Sequence, residues 1–224
     1  MNVDVGLLSE LAAEERREVL ATMHRHSYVA GEVVFHEGDA ADSVHFVVEG
    51  RVVARRSSEH GDRLAYAVMG PGQAFGELAM IVRAGRRTAT IEAVEPTVTL
   101  ALRYADFERL CARRPEVSRL LVRLLAARVN RLTEALMEAL HTSADTRVVH
   151  SLVSLCGVYS TGAQGHSPVS VQLNQTVLAE LAGVTRPTAN RVLRRLEADG
   201  VVTLDRGRVV VLDPEALRRA GARG

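Results

Sequence analysis

The chain has 224 residues with 28 basic side chains, all arginine, and 27 acidic ones, so its formal charge of +1 says nothing about partners until it is divided by region. Apolar residues make up 47% and aromatic residues only 4%, with no Trp, which implies a globular protein with an aliphatic core. Two cysteines, Cys111 and Cys156, are too few for a disulfide framework. The acidic start and the lack of an apolar run of about 18 residues argue against a signal peptide or a spanning helix, so a cytoplasmic protein is expected.

Residues 7–22 read as a short helix, with Leu7, Leu8, Leu11, Val19 and Leu20 set against Glu10, Glu14, Glu15 and Glu18. From 27 to 101 the pattern changes to short β-type runs punctuated by glycine: 32–35, 44–48, 51–54, 64–68, 88–93 and 98–101. Short strands with regular turn signals indicate an all-β sandwich or roll. A short helix follows over 104–111. Pro115 then opens a long helix that runs to about His141, since proline is tolerated in a first helical turn. Val122, Leu125, Val129, Leu132, Leu136 and Ala139 recur at alternating steps of three and four. That spacing is a coiled-coil seam and predicts a homodimer. An ordinary core helix would carry one such stripe. A second stripe, Val117, Leu121 and Leu124, is free to pack on the β-region, which favours dimerisation. A polar break over 142–146 leads into another helix ending near Val158, and a loop of small residues covers 160–168. The remainder reads strand, helix, turn, helix, two short strands and a terminal turn.

Divided by region, the charge becomes informative. Residues 1–140 hold 18 arginines against 20 acids, and residues 141–224 hold 10 against 7. Within 182–196 stand four arginines (186, 191, 194 and 195) and no acid, the distribution of a nucleic-acid footprint.

That stretch belongs to a helix-turn-helix over 174–196. Asn174 is a good N-cap, and Leu178, Leu181 and Ala182 supply a short apolar face. Gly183 ends the first helix, where a left-handed residue is wanted. Thr185 caps the second helix, Pro187 fits its first turn, and Val192, Leu193 and Leu196 face the core. Arg186, Thr188, Asn190 and Arg191 are left on the surface near the helix N-terminus, the part that meets base edges in the major groove. Arginine pairs bidentately with guanine, worth about 1–3 kcal/mol of discrimination per good contact. Asn190 can read adenine or hold a phosphate, and Asn174, Thr176, Thr185 and Thr188 can donate to phosphates and set register. Residues 201–204 and 208–212, joined through Asp205, Arg206 and Gly207, form a wing with Arg206 and Arg208 near its tip. A small packing domain with a solvated arginine face is the competing reading. Cap, turn glycine, polar face and wing together favour DNA binding.

The most specific motif lies in the β-region. Phe75, Gly76, Glu77, Leu78 and Ala79 form a glycine-bearing turn that enters a short helix, whose free N–H groups can cradle a phosphate. Glu77 can accept from a ribose hydroxyl, and Arg87 with the Thr88 hydroxyl beside it can oppose a phosphodiester.

Gly76-Glu77-Leu78-Ala79 followed by Arg87-Thr88-Ala89-Thr90 resembles the phosphate-binding cassette of cyclic-nucleotide-binding domains, and Gly31, Gly38, Asp39 and Gly50 match the turns of that β-roll. With the long helix and the winged helix-turn-helix, about residues 7 to 218 resemble the cAMP receptor protein/fumarate–nitrate regulator (Crp/Fnr) superfamily of bacterial transcription regulators. The resemblance implies an α+β fold: an N-terminal cyclic-nucleotide-binding β-roll (jelly roll) over 1–114, a dimerisation helix over 115–141 and a winged helix-turn-helix DNA-binding domain over 142–224. It implies a homodimer that binds cAMP or a related cyclic nucleotide as an allosteric effector, not a cofactor. The effector repositions the two winged helices on a palindromic operator in double-stranded DNA, with RNA polymerase as a further partner. No membrane and no enzymatic activity are implied.

By the same resemblance, the backbone at Gly76, Glu77 and Leu78, the Glu77 carboxylate and the Arg87–Thr88 pair hold the ribose phosphate. A Thr-Ser pair on the long helix contacts adenine in cAMP-binding members. Aligned from Pro115, those positions fall on Leu132 and Thr133, and only Thr133 keeps a hydroxyl. The best-known members also place Glu after the first recognition arginine. Pro187 stands there and cannot accept from cytosine, so the familiar half-site is not expected, while Arg186 and Arg191 keep the guanine-reading positions. Two alternatives stay open: the same regulator with a vestigial pocket or another effector, and a cyclic-nucleotide module without specific DNA contact. Iron–sulfur sensing is disfavoured because no cysteine precedes Cys111. Haem or metal binding by His24, His26, His36, His45 and His60 is disfavoured by their spacing. RNA binding lacks an aromatic stacking platform.

Overall fold

Glycine turns cut residues 24–103 into strands too short to bury a core singly, and they do so by antiparallel pairing. The computed structural model describes residues 12–57, 63–81, 85–160 and 167–222. The chain divides into one unit of residues 1–56 and 69–131 and another of residues 57–68 and 132–224.

In chain order the elements up to the long helix are α1 (Ala13–Thr22), β1 (His24–Tyr28), β2 (Val33–Phe35), β3 (Ser43–Glu49), β4 (Val52–Ser57), β5 (Arg63–Met69), β6 (Ala74–Phe75), α2 (Glu77–Ile81), β7 (Thr90–Ala93), β8 (Thr97–Arg103), α3 (Tyr104–Arg113) and α4 (Pro115–His141). In the first unit one sheet runs β1-β8-β3-β6. In the other sheet β7 lies between β2 and β4. β3 is buried from Ser43 to Val47, so both of its faces are covered. Val44 and Phe46 point to one side and pack with Met23, Leu100, Leu102, Phe107 and Val117, covered by Val19, Leu20 and Leu121. Ser43 and His45 point to the other side, toward Arg87.

The Val117–Leu121 stripe thus packs on the β-region as expected; the Leu124 side chain lies outside the described residues, as do Leu7, Leu8 and Leu11 of the expected first helix. The expected strands are present, with the strand expected from Thr88 starting at Thr90. β1 has no counterpart among the expected strands. It is an edge strand whose residues His24–Ser27 are exposed, so it lacks the apolar alternation that marks a half-buried strand. α4 is a single helix of 27 residues, about 40 Å long at 1.5 Å per residue.

The second unit adds α5 (Ala144–Tyr159), β9 (Val169–Val171), α6 (Gln175–Ala182), α7 (Arg186–Ala198), β10 (Val202–Asp205), β11 (Arg208–Val211) and α8 (Pro214–Gly221). Its core is Val148, Leu152, Leu178, Ala189, Val192, Leu193 and Leu217, all nearly or fully buried. The wing hairpin β10–β11 is completed by β9 on the β11 side. Ser143 caps α5 by accepting from the Thr146 N–H. The expected terminal turn is a full helix, α8, because Asp213 caps it through the Glu215 and Ala216 N–H groups and Pro214 starts it. Residues 161–166 of the expected loop lie outside the described residues.

Candidate ligand site and nucleic-acid interface

Gly76 follows β6 with φ +87°, a backbone region that favours glycine. A Cβ there would lie 2.7 Å from Arg87 Nη1 and 3.2 Å from the Ser43 carbonyl, so the missing side chain is what lets Arg87 approach. The Gly76 carbonyl accepts from the Tyr104 hydroxyl at 2.6 Å, and that hydroxyl accepts from Arg87 Nη1 at 3.2 Å. Arg87 Nη1 also donates to the Ser43 carbonyl at 2.6 Å, and Nη2 donates to the Ser43 hydroxyl at 3.1 Å and to Asp42 at 3.3 Å. The guanidinium stacks on Phe35, 4.0 Å from the ring centroid. Burial lowers the pKa of Arg87 from its ordinary value, Tyr104 and Asp42 oppose this, and the group stays a cation.

Glu77 begins α2 and is buried. Its Oε1 accepts from Arg128 Nη1, which α4 contributes, at 2.6 Å. Burial nevertheless raises the Glu77 pKa, because removing the carboxylate from water outweighs the Arg128 charge. Among the described residues, two buried side-chain polar atoms have no hydrogen-bond partner: Glu77 Oε2 and Arg87 Nε. One is an acceptor and the other a donor. Leaving such atoms unpaired costs about 1–3 kcal/mol each, and a ligand offering a hydroxyl and an anionic oxygen would satisfy both.

A polar chain lies beneath this site. The Ser43 hydroxyl donates to Asp42 at 2.8 Å and sits 3.2 Å from His45 Nε2, while His45 Nδ1 lies 3.3 Å from the Thr99 hydroxyl. His45 stacks on Phe75 with centroids 5.2 Å apart. Burial first, and then the Arg87 charge, push its pKa down to about 3, so it is neutral. Its Nε2–H donates to Ser43, and Nδ1 accepts from Thr99.

Gly76, Glu77, Leu78, Arg87 and Thr88 therefore all belong to the first unit, with Leu78 and Thr88 half-buried. Leu132 and Thr133 are exposed positions of α4 counted in the second unit. The residues that sequence reasoning missed are Ser43, Tyr104, Arg128 and His45. Each meets the site through a contact between residues distant in sequence, which no local spacing announces.

In the second unit the helix-turn-helix is built as its sequence requires. Asn174 Oδ1 accepts from the Val177 N–H at 3.0 Å, Gly183 takes the left-handed conformation with φ +59°, and Thr185 accepts from the Thr188 N–H at 3.4 Å. Asn174, Thr176, Thr185, Arg186 and Arg191 are exposed, and Thr188 and Asn190 half-buried. Arg147 of α5 donates to the carbonyls of Ala182 and Gly183, satisfying the end of α6. The arginines of α7 are not equally available. Arg186 has no ion-pair partner among the described residues, whereas Arg191 and Arg195 both meet Asp145, and Arg194 meets Glu197.

Among the described residues no helix is long and apolar enough to cross a membrane, and no group of three His, Cys, Asp or Glu could hold a metal ion.

Comparison with known proteins finds two domain families in the chain. The family model of the cyclic nucleotide-binding domain matches residues 25–114, and that of the Crp-like helix-turn-helix domain matches residues 146–220. The chain is 35% identical over 211 residues to the cyclic AMP receptor protein of Thermus thermophilus, covering 94% of each. It is 30% identical over 189 residues to the CRP-like cAMP-activated global transcriptional regulator of Mycobacterium tuberculosis, covering 84% of each. The crystal structure of the Thermus thermophilus catabolite activator protein is similar with a TM-score of 0.54 at 33% identity, over 97% of this chain and 98% of that one. A CRP/FNR-family transcriptional regulator from the same organism has the same fold, with a TM-score of 0.72 at 23% identity over 90% of this chain and 100% of that one.

Proposed function

The chain belongs to the Crp/Fnr superfamily of transcription regulators, and from that membership we propose that it is a cytoplasmic homodimer that binds a specific DNA operator under the control of cAMP or a related cyclic nucleotide. The observation that carries the effector half is the unpaired buried donor and acceptor, Arg87 Nε and Glu77 Oε2, beside the Gly76 turn. The division of labour is a sensor over 1–114, a dimerisation helix over 115–141 and a DNA-binding domain over 142–224, with RNA polymerase as a further partner.

In this reading Glu77 accepts from a ribose hydroxyl while Arg87, Thr88 and the backbone at Gly76, Glu77 and Leu78 take the phosphate. Arg87 is already bonded to Ser43, Tyr104 and Asp42, so a phosphate competes for it and redistributes those bonds. Tyr104 is the first residue of α3, and a change at Arg87 is therefore felt where α3 begins. The effector controls DNA binding only to the extent that it binds the DNA-competent state more tightly.

Dimerisation rests on α4. Val122, Val129, Leu132, Leu136 and Leu140 are each about half exposed or more in the single chain, a costly arrangement that a second helix removes. Burying each such side chain is worth roughly 1.5–3 kcal/mol. On α7, Arg186 and Arg191 read base edges with Thr188 and Asn190, while Asn174, Thr176 and Thr185 hold the backbone.

Leu132 favours a second reading, since it stands where the family's cAMP-binding members carry a hydroxyl. Here the dimer binds its operator without a cyclic nucleotide, or with another effector. Calorimetric titration of cAMP and cGMP into the wild type and Arg87→Ala separates the two. Nucleotide control predicts saturable heat for the wild type and at least about tenfold weaker binding for the variant. No heat with either nucleotide, together with operator binding by nucleotide-free protein, would leave the second reading.

A further inference from the structure

The four arginines of residues 182–196 look from the sequence like a free cationic face. The structure supplies the missing acid from another helix. Asp145, in the first turn of α5, takes Arg191 end-on: Nη1 donates to Oδ2 at 3.0 Å and Nη2 donates to Oδ1 at 2.6 Å. Arg195 Nη1 donates to the same Oδ2 at 3.1 Å. Asp145 is not needed to cap its own helix, because Ser143 already does so. Nor does the pair fill an apolar gap, since the Arg191 side chain is 62% exposed and Asp145 25%. What Asp145 does is occupy, with two oxygens, the guanidinium fork that guanine would occupy with O6 and N7. The two partners are mutually exclusive: an end-on fork holds one pair of acceptors at a time.

We infer that Asp145 is a built-in competitor of DNA for Arg191, an ion pair within the DNA-binding domain that must open before the recognition helix can present the end-on fork of that arginine to a base edge. The inference rests on the DNA-binding reading above and goes beyond it. In the free protein the carboxylate lowers the local charge of the Arg191–Arg195 cluster from +2 to +1. On DNA the pair exchanges its carboxylate for a base edge, and the acid left beside the duplex opposes binding. Asp145 thereby sets how tightly the domain binds.

The test is a double-mutant cycle on an operator selected in vitro by the wild type in the presence of cAMP. Kd is measured by fluorescence anisotropy for the wild type, D145N, R191A and D145N/R191A, with thermal melts of all four confirming the fold. The expected result is that Arg191→Ala weakens binding, and that D145N tightens it about two- to fivefold at low salt, a gain that shrinks as salt rises. In the Arg191→Ala background at least half of that gain, on a logarithmic scale, should disappear. If D145N binds no more tightly than the wild type, Asp145 orients Arg191 or merely joins α5 to α7, and the inference is wrong. It is equally wrong if Arg191→Ala has no effect, or if the D145N gain survives it unchanged. Those failures leave DNA binding intact. A wild type that selects no operator would overturn the reading on which the inference rests.

Discussion

Replacing Gly76 by alanine tests the ligand site at its tightest point. Two costs are expected. The backbone there has φ +87°, and holding a residue with a Cβ in such a conformation costs about 1–2 kcal/mol. The new Cβ would also stand 2.7 Å from Arg87 Nη1 and push the guanidinium off the Ser43 carbonyl it now bonds at 2.6 Å. Losing a buried hydrogen bond from a charged donor costs roughly 1.5–3 kcal/mol, so the total is about 2.5–5 kcal/mol. That does not exceed the lower end of the 5–15 kcal/mol typical of a domain, and the variant should still fold. Urea unfolding followed by circular dichroism measures the stability, and calorimetry with cAMP measures the site, where at least about a tenfold loss of affinity is expected. The two costs separate in the Arg87→Ala background, where no guanidinium is in the way and only about 1–2 kcal/mol should remain. A Gly76→Ala variant within about 0.5 kcal/mol of the wild type, or one whose cost is unchanged by Arg87→Ala, would refute the close approach as the reason for glycine.

His45 should make the first unit acid-sensitive. Its pKa falls from 6.5 to about 3 on folding, so an unfolded chain takes up a proton that the folded chain refuses. The stabilisation is complete above pH about 6.5 and is lost as pH falls toward about 3, with a ceiling near 5 kcal/mol. Urea unfolding at a series of pH values should show a flatter acid limb for His45→Gln, and an identical limb would contradict the buried neutral histidine. Leu193 is fully buried in α7, and Leu193→Ala should cost about 2–5 kcal/mol in thermal unfolding. A loss below about 0.5 kcal/mol would show that the side chain is not packed as described. Leu136 is 60% exposed on α4, and Leu136→Glu should shift the protein from dimer to monomer in sedimentation without lowering monomer stability by more than about 0.5 kcal/mol. An unchanged dimer would move the interface away from the Val122–Leu136 stripe.

What could be read from the sequence was what local chemistry dictates. The caps at Asn174 and Thr185, the left-handed Gly183, the wing turn, the Gly76–Glu77 turn into a short helix and the helix opened by Pro115 all appear where their residue types place them. β1 is not legible in the sequence because an exposed edge strand of His, Arg, His and Ser has no apolar alternation. The partners of the site residues are not legible for a different reason. Ser43 lies 44 residues from Arg87, Arg128 lies 51 from Glu77, and Asp145 lies 46 from Arg191, so only the fold brings them together. The regional charge count was correct and still misleading about availability. The acid-free run on α7 is largely paired, by Asp145 from α5 and by Glu197 just beyond the run.

In the proposed function one molecule joins a cyclic-nucleotide site to sequence-specific DNA recognition. Selection of operator sequences from a random duplex library by nucleotide-free protein, with and without added cAMP, tests both halves at once. A palindromic consensus enriched only in the presence of the nucleotide is expected, with half-sites about one helical turn apart. Enrichment of the same consensus without nucleotide would contradict effector control, and no enrichment under either condition would contradict the regulator itself.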